Sequence, residues 1–66
     1  MNVPWTIIVQ SSLTMQLSYH LVYVSTDSLV AWKESQVWLE ERKSTLGDSR
    51  VIAMVRGDHE VVTRTG

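Results

Sequence analysis

The chain has 66 residues, no cysteine, and a formal net charge of −1, from 6 Lys+Arg against 7 Asp+Glu. A chain this short makes one domain, residues 1–66, with a small core, and without cysteine it has neither a disulfide staple nor a thiolate metal site. The near-neutral balance supplies no global field toward nucleic acid or anionic lipid, and no apolar run approaches the roughly 20 residues that span a bilayer.

Met1-Asn2-Val3-Pro4 has neither the basic start nor the apolar middle of a secretory leader, so the chain is expected in the cytoplasm. Pro4 then stands at the entry to Trp5-Thr6-Ile7-Ile8-Val9-Gln10, whose β-branched and aromatic content predicts a strand. Ser11 to Thr14 is polar enough to turn. From Met15 to Val24 the side chains alternate, with Met15, Leu17, Tyr19, Leu21 and Tyr23 on one face and Gln16, Ser18, His20, Val22 and Val24 on the other. Two strands with a short connection predict an antiparallel hairpin, and the pattern leaves open which face meets a helix.

Ser28 to Leu46, which closes the run without Gly or Pro that extends from Trp5, predicts the single helix. Ser25-Thr26-Asp27 suits its N-cap, and Gly47 its end. At about 100° per residue, Ala31, Trp32, Ser35, Trp38, Leu39 and Leu46 share a broad core face. Val30 and Val37 form a thin second apolar line, either scattered surface valines or the edge of a partner or dimer patch. After Gly47-Asp48-Ser49, the run Arg50 to Arg56 predicts a strand buried on both faces and central in the sheet. Val61-Val62-Thr63 reads as a short fourth strand or as a tail. The fold class is therefore α+β, β-β-α-β with an optional last strand: an antiparallel sheet with one helix packed on one face.

No nucleophile elbow, phosphate-binding loop, zinc-protease helix or paired-cysteine motif occurs. Asp58, His59 and Glu60 are potential metal ligands, but neighbours along an extended chain point apart, so a solvated turn is the plainer reading and no metal or other cofactor is expected. Arg56-Gly57-Asp58 is a three-residue match to a receptor-binding tripeptide that acts outside cells, and nothing else in the chain points there. The single helix leaves one sheet face uncovered, and the candidate partner-binding residues are Arg56, Tyr19, Tyr23, Trp32, Val30, Val37 and Arg50. Aromatics with arginine are what partner-binding surfaces favour. Arg50, Arg56 and Arg64 have one parity and would line one side of the last strands, where with a tyrosine they could stack bases. Six bases against seven acids make nucleic acid the less favoured partner.

A Trp-led first strand running into paired serines (Trp5 to Ser12) leads to a second strand ending in an aromatic and then threonine (Tyr23 to Thr26). A helix with a small residue and a tryptophan (Ala31, Trp38) follows, and then a strand ending in Val55-Arg56. In outline this resembles the small β-β-α-β proteins that bacteriophages make to block host enzymes, among them the podovirus-type inhibitors of bacterial RNA polymerase. The resemblance implies a non-enzymatic binder of a host protein, RNA polymerase first among the targets, acting in the host cytoplasm, with Arg56 in the place of the family's polymerase-facing arginine. It offers no counterpart for the family's acidic contact, and the chain departs from the family in its longer helix and in its tail from Asp58 to Gly66. For so small a domain, a homodimer is a second way to complete a core.

Overall fold

The first strand, β1 (Asn2–Ser11), is the middle of a three-stranded antiparallel sheet, flanked by β2 (Leu17–Ser25) and β3 (Ser49–Arg56) in the order β2-β1-β3. The computed structural model describes residues 2–62. Helix α1 (Ser28–Glu41) packs across one face of the sheet, and a single turn, α2 (Lys43–Leu46), leads into β3. The α+β class and the β-β-α-β order are those expected. Val61 and Val62 are not in a strand, and Thr63 lies outside the described residues.

The strand expected at the centre, β3, is an edge. Its apolar run is buried only at Val51, whereas Trp5, Ile7 and Val9 of β1 are all buried. Register explains the difference. Trp5 pairs with Val22 on one side and Arg56 on the other, and Ile7 with His20 and Met54, so each β1 side chain on the helix side has neighbours on both flanks. Pro4 lies within β1 rather than before it. Its carbonyl accepts from Gly57 N at 2.9 Å, so its missing N–H faces the β3 side, one step past the last paired residues Trp5 and Arg56. No ladder bond is lost there.

The helix begins as expected. Asp27 Oδ1 accepts from Leu29 N at 3.0 Å and Val30 N at 3.1 Å, satisfying two of the free N–H groups of the first turn. It ends sooner. Arg42 breaks the ladder at φ −107°, and Gly47, at φ +74°, closes α2. Ala31, Ser35 and Leu39 are the buried stripe, with Trp38 and Leu46 half-buried beside the core. Trp32 lies outside it, 39% exposed. Small residues at positions 31 and 35 let the helix sit close to Ile7 and Val22, which are 0% and 2% exposed. Each such side chain contributes about 1.5–3 kcal/mol by leaving water. Trp5 Nε1 adds a bond to Ser25 O at 2.9 Å, tying the centre of the core to the end of β2.

Candidate functional site

The paired registers decide which side chains share the uncovered face. Tyr19 stands opposite Ile8, Leu21 opposite Thr6 and Tyr23 opposite Pro4 on β2–β1; Ala53 and Val55 stand opposite Ile8 and Thr6 on β1–β3. Since Trp5, Ile7 and Val9 point into the helix-side core, this second set faces away from it. The result is an apolar surface with Tyr23 63%, Val55 44%, Tyr19 41% and Leu21 39% exposed. Of β2's two faces, therefore, the tyrosine face is open and the His20 face meets the helix.

This surface is not bare along its whole length. Thr6 is only 1% exposed, because the chain after β3 turns back over it. Its hydroxyl donates to Gly57 O at 2.7 Å and accepts from His59 N at 2.9 Å, while His59 Nε2 donates to Arg56 O at 2.7 Å. Gly57 sits at φ +103°, a conformation that side-chain-bearing residues rarely adopt. The turn pins one end of the open face.

The two described candidate arginines are separated. Register slips between Ile8 and Val9, so Ile8 pairs with Ala53 and Val9 with Val51, leaving Ile52 as the extra residue of a β-bulge. Arg50, opposite Gln10, shares the tyrosine face; Arg56, opposite Trp5, lies on the helix side at the β3 edge. The expected common side for Arg50 and Arg56 is thus overturned by one inserted residue, and Arg64 lies outside the described residues. Arg50 is the one charged side chain among the described strand residues of the open face.

The remaining candidates lie on the helix side. Val30 (45% exposed), Val37 (59%) and Trp32 belong to the outer surface of α1. Val37 helps line an open groove of about 350 Å³ between α1 and β2, with Val24, Lys33, Glu34, Trp38 and Glu41. Nearby, Trp38 carries the Arg42 guanidinium 4.2 Å above its ring centroid and meets the His20 ring at 5.4 Å, tilted by 48°. Arg42 Nη1 also donates to Trp38 O at 3.2 Å. Burial first, and the Arg42 charge second, hold the His20 pKa below the ordinary histidine value. Ser18 Oγ lies 3.2 Å from His20 Nε2, one half of a nucleophile–base arrangement. Among the described residues no carboxylate hydrogen-bonds that imidazole, and no three His, Asp or Glu side chains come together as a metal site.

Sequence reading placed Tyr19 and Tyr23 on one face but did not single out Ile8, Leu21 or Val55. Parity carried the signal for Leu21. For Val55 it was hidden by the bulge, which no residue at 50–56 announces. Comparison of the chain with protein families, curated proteins and solved structures finds no match.

Proposed function

We propose that this chain is a non-enzymatic protein-binding module that docks through the open sheet face. The observation that carries the reading is the run of exposed Tyr19, Leu21, Tyr23 and Val55 on one face of so small a domain. Tyrosines bring large contact area with few rotatable bonds and a polar tip, which suits them as anchors in a partner's pockets. Arg50 is the charged residue of that face, so the partner it fits presents apolar surface with a carboxylate at its margin. The outline resemblance to phage-encoded inhibitors directs the search to a bacterial host protein, RNA polymerase first, with the chain as its inhibitor or modulator.

The test is binding of the full chain to purified bacterial RNA polymerase, with capture from a bacterial lysate to widen the search. Tyr23→Ala is expected to lower affinity by roughly 30-fold, the size of a hot-spot loss of about 2 kcal/mol, with its melting temperature unchanged. Arg50→Glu is expected to weaken the complex further at low salt than at high salt. Binding that ignores both substitutions overturns the reading. Labelled single-stranded oligonucleotides, titrated at two salt concentrations, discriminate the other use of a tyrosine–arginine sheet face: tight, salt-sensitive binding would replace a protein partner with nucleic acid.

A further inference from the structure

We propose that the outer edge of β2 is a homodimer seam, in which two copies pair β2 against β2, antiparallel about Leu21, and join two three-stranded sheets into one. The proposal starts from the free backbone groups of the β2 edge rather than from the open-face reading, although Tyr19, Leu21 and Tyr23 belong to both.

The direction of the free backbone groups follows from the bonds around β1. Ser11 N donates to Gln16 O at 2.9 Å, on the β2 side, whereas Ser12 N donates to Asp48 O at 2.8 Å and Pro4 O accepts from Gly57 N, on the β3 side. Odd-numbered residues of β1 therefore bond β2. Their partners there are His20, opposite Ile7, Val22, opposite Trp5, and Val24, opposite Val3. The intervening Tyr19, Leu21 and Tyr23 aim N–H and C=O outward, and among the described residues no segment pairs with them. Ser25, next in the outward set, has its N–H taken by Glu34 Oε1 at 3.0 Å, which marks where the free edge stops.

This edge lacks the devices by which strand edges avoid pairing. From Leu17 to Ser25 there is no Lys, Arg, Asp, Glu, Pro or Gly, and the register with β1 is unbroken. The β3 edge is the opposite case, with the bulge at Ile52 and arginines at 50 and 56. The free stretch of β2 is also complementary to itself. With Leu21 on the two-fold axis, Leu21 faces Leu21 of the second copy, and Tyr19 faces Tyr23. Those are the residues with outward backbone groups, so side-chain and hydrogen-bond registers agree. His20 falls opposite Val22, and no like charges meet. Both ends of the joined sheet are then guarded β3 edges, so assembly closes at two copies rather than running on.

Sedimentation equilibrium on the full chain across the micromolar range tests this. The expected mass is twice 7.5 kDa, and a mass of 7.5 kDa throughout overturns the proposal. Leu21→Lys sets two ammonium groups opposite each other on a side chain that is 39% exposed, and is expected to give a folded monomer. Leu21→Pro removes an N–H that serves no bond to β1 and is expected to do the same; if it fails to fold, the lysine variant decides. A dimer that survives Leu21→Lys forms elsewhere, and the seam is refuted. Because the chain has no cysteine, Leu21→Cys gives a positive test of register. It is expected to cross-link to itself on mild oxidation faster than Leu13→Cys in the 89% exposed turn, and equal rates count against the axis.

Discussion

Ser35 is fully buried, and among the described residues its hydroxyl has no hydrogen-bond partner. A mid-helix serine is tolerated there for its size, since a larger side chain would lift α1 off the sheet. Alanine keeps the size and removes the stranded hydroxyl, and it is also the better helix former. Ser35→Ala is therefore expected to raise stability by about 0.5–2 kcal/mol in urea denaturation, and a loss would show that the hydroxyl has a partner. His20 makes a second prediction. Its folded pKa lies below the ordinary value of 6.5, so the unfolded chain takes up the proton first as pH falls. Stability is then full above pH 6.5 and declines as pH drops from there toward the folded value. A melting-temperature series across that range should slope for the native chain and be flatter for His20→Gln. Trp38, half-buried between His20 and Arg42, should cost about 2–3 kcal/mol as Trp38→Ala, less than the 3–5 kcal/mol of a fully enclosed aromatic.

Among the elements, α1 and the second strand were legible in the sequence from their periods, and the first strand from its β-branched and aromatic content. Asp27 stands where a cap is needed, and Ala31, Ser35, Trp38 and Leu39 fall on one stripe. Asp27→Ala is expected to cost about 1 kcal/mol by releasing the amides of Leu29 and Val30, measured as a drop in denaturation midpoint. What failed to show was sheet order and the β3 register. An apolar run such as Val51 to Val55 looks the same whether its second face is buried or merely unguarded, and only the pairing tells which. The bulge at Ile52 then reverses parity for everything after it, which is why Arg50 and Arg56 part company. Trp32 and Trp38 were both core candidates by position, with Trp32 at the margin of the core face; α1 meets the sheet along the line of Ala31, Ser35 and Leu39, which leaves Trp32 outside and Trp38 against the core.

At the scale of the molecule, one helix on three strands leaves an apolar face and an unprotected edge on the same strand, β2. Tyr19 and Tyr23 belong to both, through their rings to the face and through their backbones to the edge. Mutation weights the two uses differently: Tyr23→Ala keeps the backbone and removes a ring, whereas Leu21→Pro keeps both rings and removes an edge donor. The position of β1 has a consequence for how the domain is built. The strand that emerges first from synthesis is the one whose neighbours are completed last. Its pairing with β2 closes across a short turn at small loop-closure cost, but Ile7 and Val9 acquire Met54 and Val51 only after the whole helical segment has been made. Docking of β3 thus closes the longest loop within the sheet, and a chain interrupted before Ser49 leaves its middle strand with a second open edge, the kind that favours aggregation.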